Sequence, residues 1–133
     1  MRSVSELNKH KVQLFVEAVW NEGRLELIDE LVGADYLGRF SWLDARVVGP
    51  EGVRRLVSRS RREHADLHVK IEDQIAEDDL VVTRWRAQAV APDEHAASAC
   101  GSSWSGISVI RLLAGKQVDS HTALSTSATD IAA

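Results

Sequence analysis

The sequence predicts an α+β domain, with helices packed on one face of an antiparallel sheet. Three observations predict it. Apolar residues recur at helical spacing up to His64. From Leu67 onward the period switches to two, and no repeat or linker separates the halves. The 133 residues also fit one domain, residues 1–133, within the usual range of about 100–150.

Ser3-Val4-Ser5-Glu6 reads as a capping box, with Ser3 at the N-cap and Glu6 reaching back. Val12, Phe15, Val16 and Val19 then repeat at i, i+3, i+4 and i+7, Trp20 lies near the end, and Gly23 is a natural stop. Leu27, Ile28, Leu31 and Val32 predict a second, short helix closed by Gly33. Residues 34–48 are irregular. Tyr36, Leu37, Phe40, Trp42 and Leu43 are apolar or aromatic, but Gly38 and Ser41 break the period, so short strands or a wrapped loop are expected. Gly49-Pro50-Glu51 opens a third helix with Pro in its first turn. Val53, Leu56, Val57, Ser60 and His64 share its inner face, Arg54, Arg55, Arg59, Arg61 and Arg62 populate the rest, and Ala65-Asp66 ends it.

The meander follows. Leu67, Val69 and Ile71 alternate with His68, Lys70 and Glu72, and Glu77-Asp78-Asp79 forms a turn. Val81, Thr83, Trp85, Ala87 and Ala89 form the core-facing set of the next strand, against Val82, Arg84, Arg86 and Gln88. Residues 91–103 read as a small polar loop containing Pro92, Asp93, Glu94, His95, Cys100 and Gly101. A strand from Trp104 to Leu113, a tight turn at Ala114-Gly115-Lys116 and a last strand from Gln117 to Ser125 complete the order. In that last strand Val118, Ser120, Thr122 and Leu124 are the inward set, and Asp119 and His121 point outward. The small polar tail 126–133 is expected to fray.

Composition narrows the function. Sixteen Lys and Arg against 20 Asp and Glu give a net charge of −4, which argues against nonspecific nucleic-acid binding. The arginine-rich face of the third helix reads as a solvated face paired with the chain's acids. The lone Cys100 excludes an internal disulfide and a cysteine-based zinc site, and His95 with Cys100 makes no metal site without further ligands. No apolar run approaches the roughly 20 residues of a membrane span. The opening residues lack an apolar signal core, so a cytoplasmic protein is expected. Four of the seven aromatics are Trp: Trp20, Trp42, Trp85 and Trp104. Each is bulky and carries one N–H that needs a partner when buried. They either fill the core or wall a cavity or partner surface.

The local sequence adds a resemblance. Asn8-Lys9 through Val19-Trp20-Asn21-Glu22-Gly23, and Leu27-Ile28-Asp29-Glu30-Leu31-Val32 before Ala34-Asp35-Tyr36, are similar to the opening helices of the SnoaL-like polyketide cyclases, within the nuclear transport factor two-like fold. Gly49-Pro50-Glu51-Gly52-Val53 matches the start of that family's third helix. Asp66-Leu67-His68-Val69, Glu72-Asp73, Val82-Thr83-Arg84-Trp85, Ser105-Gly106-Ile107, Arg111 and Gly115-Lys116 follow its hairpins in order. The resemblance implies three N-terminal helices on a strongly curved antiparallel sheet, forming a cone with an internal pocket. It also implies a homodimer pairing through the sheet, a hydrophobic small-molecule partner, and no metal or organic cofactor, while the charge and hydropathy above point to no membrane or nucleic-acid partner. The implied activity is a bacterial cyclase or isomerase acting on a polyketide-type or similar secondary-metabolite intermediate. The alternative is a noncatalytic small-molecule-binding or dimerisation module of the same fold.

The chain departs from this family in the last strand. In ungapped alignment Ser120 stands at the family's His position and Thr122 at its Asp position, so the usual catalytic Asp is absent. A one-residue shift would place His121 on the His but leave Ala123 at the Asp, and it would reverse every side chain in the strand. The Arg and two Asp of epoxide-opening relatives correspond to Trp85, Ala87 and Thr122.

The candidates for proton chemistry are therefore His64, His121, Asp119 and Arg39. His64 lies on the apolar face of the third helix, where it would suit acid/base work in a pocket or would bond the helix's last carbonyls. Asp119 and His121 share one strand face, where the carboxylate could orient the imidazole, or where both could meet a dimer partner. Arg39, after the family-like Ala34-Asp35-Tyr36 step, could stabilise an enolate or carboxylate in the pocket, or lie on the surface; Asp44 is a weaker acid in that segment. The expected pocket wall is Phe15, Trp20, Tyr36, Phe40, Trp42, Trp85 and Trp104, with Ser108, Ser120 and Thr122 as hydroxyls able to hold a ligand oxygen.

Overall fold

Helix α1 (Val4–Leu14) starts where the capping pattern places it: Ser3 Oγ accepts the Glu6 N–H at 3.1 Å. The structure, a computed structural model, describes residues 3–90 and 102–125; the expected polar loop, apart from Ser102 and Ser103, and the tail 126–133 lie outside the described residues. At Phe15 the helix widens into a π-helical segment, Phe15–Asn21, which ends before Gly23 at φ +72°. Such widened turns re-aim side chains and are frequent at functional sites. A 3₁₀ turn (Leu25–Leu27) leads into α2 (Ile28–Leu31).

The second helix is shorter than expected. Val32 and Gly33 begin strand β1 (Val32–Phe40) instead of closing the helix. β-branched Val32 is buried and pairs with Gln117, a placement that suits a strand better than a helix end. The irregular stretch thus holds a nine-residue strand and then β2 (Val47–Val48). Helix α3 (Gly49–Glu63) ends at His64, whose backbone is extended, and Asp66 at φ +52° turns the chain into β3 (His68–Glu77). Strands β4 (Leu80–Ala89), β5 (Ser102–Leu113) and β6 (Lys116–Leu124) follow. Ala114 and Gly115, both at positive φ, make the tight β5–β6 turn.

The six strands form one sheet in the order β2-β1-β6-β5-β4-β3. The ladders from β3 to β6 are antiparallel, as the meander requires, and β1 adds to β6 in parallel, so the sheet is mixed. A parallel pair needs a long crossover, and here everything from β2 to β5 supplies it. The helices cover the inner face. Phe15, Val19, Ile28 and Leu31 pack with Tyr36, Val53, Leu56 and Val57, while Val12 packs with Val81, Ile110 and Leu112.

Two bulges change the expected facing. A register shift at Glu72 puts Gln74 and Ala76 on the partly buried side and leaves Ile75 exposed. A second, between Arg111 and Leu112 on one strand and Asp119 and Gln117 on the other, bulges at Val118. Gln117, not Val118, is therefore buried beside Ser120 and Thr122. No helix among the described residues is long and apolar enough to cross a membrane.

The N-terminal end of the open β3 edge is capped by one side chain. Asn21, at the end of the π-helical segment, donates from Nδ2 to the Val69 carbonyl at 2.9 Å and accepts the Val69 N–H on Oδ1 at 2.7 Å. The amide mimics a neighbouring strand and blunts an edge that would otherwise invite pairing. Asn21→Ala removes both bonds and should lower unfolding free energy by about 1–3 kcal/mol, measured by urea denaturation followed by circular dichroism. An unchanged midpoint would show that water replaces the amide at no cost.

Candidate functional site

Alternation along β1 turns Tyr36, Gly38 and Phe40 to the inner face. Gly38 has no side chain for a physical reason: a Cβ there would lie 2.9 Å from both Tyr36 Cζ and Phe40 Cε1. The Tyr36 ring lies across this gap and brings its hydroxyl within 2.5 Å of Ser120 Oγ. The same device recurs across β4 and β5. Trp85 pairs with Gly106, and a Cβ on Gly106 would meet the indole Cε2 at 2.9 Å and the Ala123 carbonyl at 2.8 Å. Laid over that glycine, Trp85 donates from Nε1 to Ser108 Oγ at 3.1 Å, and Ser108 in turn is 2.8 Å from Thr122 Oγ1.

These side chains bound a cavity of about 400 Å³ between the helices and the sheet. Phe15 and Trp20 reach it from the π-helical segment, Tyr36 and Phe40 from β1, and Trp85 and Trp104 from β4 and β5. Trp42 stands partly exposed against Phe40, with ring centroids 5.3 Å apart. Ser108, Ser120 and Thr122 supply hydroxyls, and His64, from the end of α3, packs its ring 4.8 Å from Trp104. All ten residues expected on a pocket wall thus lie on this one, together with His64.

Among the described residues the wall carries no Asp, Glu, Lys or Arg. Its two titratable groups are Tyr36 and His64. Burial pushes the Tyr36 hydroxyl up to about 12; the bond to Ser120 opposes this and the nearby Asp119 charge adds to it, so Tyr36 is neutral at physiological pH. Each hydroxyl pair contains two O–H groups and spends one on the other. Trp85, a donor only, uses acceptor capacity on Ser108 and no proton. Tyr36–Ser120 and Ser108–Thr122 each keep one O–H for a ligand oxygen. Gln74, held by Gln13 at 2.6 Å, donates to Thr83 on the same wall at 3.3 Å.

The other candidates gather elsewhere. Because Tyr36, Gly38 and Phe40 face inward, Arg39 faces outward, the surface alternative of its two expected places. It stands beside His121 in the parallel ladder, with Nη1 3.4 Å from His121 Nε2 and 3.7 Å from Asp119 Oδ1. His121 Nε2 is 3.7 Å from Asp119 Oδ2. This partly exposed triplet occupies the outer sheet face, across the sheet from the cavity, so His64 alone of the four candidates lines the wall. Asp44 is exposed in a separate groove. Gln117 is the wall residue that alternation missed, since only the bulge at Val118 turns it inward. No group of three His, Cys, Asp or Glu suited to a metal ion occurs among the described residues.

Comparison with known proteins agrees with this architecture. The sequence matches the SnoaL-like polyketide cyclase family over residues 10–123. Its structure is similar to that of a protein from Jannaschia sp. CCS1 described as a SnoaL-like polyketide cyclase, with TM-score 0.76 and 18% identity over 92% of this chain and 88% of that one. A protein from Acidithiobacillus ferrooxidans described as a polyketide cyclase gives TM-score 0.76 and 20% identity over 91% and 89%. IdmH of Streptomyces antibioticus, likewise described, gives 0.75 and 19% over 95% and 99%. No curated protein matches the sequence significantly.

Tyr36 is the chain's single tyrosine, so alkaline titration of phenolate absorbance reads it alone. The native midpoint should fall near 12, against about 10 in the denatured chain. The folded state then holds this proton more tightly, so its contribution to stability is complete below about pH 10 and is lost as pH rises toward the folded value. A native midpoint near 10 would contradict the buried hydroxyl pair.

Proposed function

Because the chain belongs to the SnoaL-like polyketide cyclase family, we infer that the cavity takes a hydrophobic polyketide-type or similar secondary-metabolite intermediate and closes or isomerises it without a cofactor. The observation that carries this reading is a partly open, aromatic-lined cavity whose wall, among the described residues, holds two hydroxyl pairs and no Asp, Glu, Lys or Arg. Its volume lies within the roughly 300–1,000 Å³ of small-molecule sites.

An intramolecular aldol closure fits these groups. His64 takes a proton from the carbon between two carbonyls. The spare O–H of a hydroxyl pair donates to the oxygen on which negative charge develops. The carbanion carbon bonds to the second carbonyl carbon of the same molecule, and the proton held by His64 returns to the new alkoxide. No atom is gained or lost. The family's catalytic Asp is replaced by Thr122, so the wall offers shape in place of a carboxylate; holding a reactive conformer can itself contribute several kcal/mol, up to about 7–11 in the best cases. The proposed form is a bacterial, cytoplasmic homodimer pairing through the outer sheet face, where Ile107 and Val109 are exposed. The uncharged wall also suits a second reading, a binding module without turnover.

Four Trp on the wall give the test its signal. The tricyclic 1,8-dihydroxyanthraquinone should quench their fluorescence saturably at one site per chain. A tricyclic aromatic with a 1,3-dicarbonyl arm should be cyclised, and His64→Gln should slow that step by about 10²–10⁴ with quenching by the anthraquinone unchanged. Quenching without turnover in the parent protein selects the binding module. Turnover undiminished in His64→Gln removes His64 from the chemistry.

A further inference from the structure

The arginines of α3 border a second groove, and it adjoins the first. Trp42 and Leu56 line both the aromatic cavity and this outer groove. Six arginines line the groove, Arg46, Arg54, Arg55, Arg59, Arg61 and Arg62, against two carboxylates, Asp44 and Glu51. In a chain of net charge −4 this is a local reversal of sign.

Half of these arginines are already engaged. Arg54 pairs with Glu51 and with Asp29, the latter at 3.3 Å, and Arg59 pairs with Glu63 at 2.8 Å. Arg61 is structural: Nη1 donates to the carbonyls of Trp20 and Asn21 at 2.7 and 2.8 Å, tying α3 to the π-helical segment. Arg46, Arg55 and Arg62 are exposed and join no ion pair among the described residues. Arg55, Arg59 and Arg62 stand at i, i+4 and i+7 and so share one helix face. Arg46 comes from the turn between β1 and β2 and lines the same groove.

Pairing with the chain's own acids thus accounts for Arg54 and Arg59, and Arg46, Arg55 and Arg62 remain beside the groove. We propose that the groove is the anion subsite of the ligand site: the ligand is amphiphilic, its apolar body lies in the cavity, and a carboxylate or phosphate on it reaches past Trp42 and Leu56 to Arg46, Arg55 and Arg62. Guanidinium forks match both anions. Charge kept on the rim lets the wall stay neutral, because an ionised group inside an apolar cavity would be heavily penalised. This inference rests on the cavity's being a ligand site.

The test compares 4-(2-naphthyl)butanoate, 4-(2-naphthyl)butyl phosphate and the neutral 4-(2-naphthyl)butanamide, each titrated against Trp fluorescence. At least one anion should bind about tenfold tighter than the amide at low salt, and the gap should narrow as salt rises. The anion that shows the preference is the group the groove takes. In the triple variant Arg46→Gln/Arg55→Gln/Arg62→Gln the preference should vanish while the amide binds as before. Equal affinity for all three ligands in the parent protein, or an anion preference that survives in the variant, overturns the anion subsite. Absence of amide binding in the parent protein instead overturns the cavity reading beneath it.

Discussion

Two aromatic rings laid over two glycines determine the inside of this protein. Trp85 needs the bare backbone of Gly106, and Tyr36 needs that of Gly38. In each case the missing Cβ leaves room for a large ring to lie over the glycine. The Gly106 seat cannot be adjusted cheaply. A Cβ at Gly106 would meet a backbone carbonyl as well as the indole, and backbone cannot swing aside as a long side chain can. With the rings down, their polar ends reach Ser108 and Ser120, and the hydroxyl pairs follow. The cavity is thus bounded by aromatics seated on glycines, and its hydrogen-bonding groups are fixed by the same contacts.

Charge is sorted around this chamber. Among the described residues the wall carries no Asp, Glu, Lys or Arg, the outer sheet face carries the Arg39–Asp119–His121 triplet, and α3 turns its arginines toward the rim. Among the described residues the wall offers confinement, hydroxyl groups and one imidazole. That suits a reaction whose reactive carbons are already acidified by neighbouring carbonyls better than one needing a strong base or a buried nucleophile.

Much of this was legible in the sequence, for identifiable reasons. Period-two alternation placed Thr83, Trp85 and Ala87 inward, and nothing interrupts β4. The helical periods of α1 and α3 were equally plain, and the four Trp pointed to a wall. The failures share one cause, since local pattern is silent about bulges and about long-range pairing. Gly38 read as a break in residues 34–48, yet it is the seat that lets Tyr36 remain in a strand. Gly33 read as a helix stop, yet β1 runs through it because β6 lies alongside. Val118 read as inward until the bulge substituted Gln117. Arg39 stays open between pocket and surface in the sequence, because its segment shows no alternation from which to assign a face.

The claim that aromatics seated on glycines shape the cavity is tested most directly at Gly106. The affinity of Gly106→Ala for 1,8-dihydroxyanthraquinone should be measured beside that of the parent protein, with circular dichroism confirming the same secondary structure. A Cβ at this position lifts the Trp85 ring into the cavity, so the account predicts an affinity at least about tenfold weaker in a folded protein. Undiminished affinity in a folded variant would contradict it.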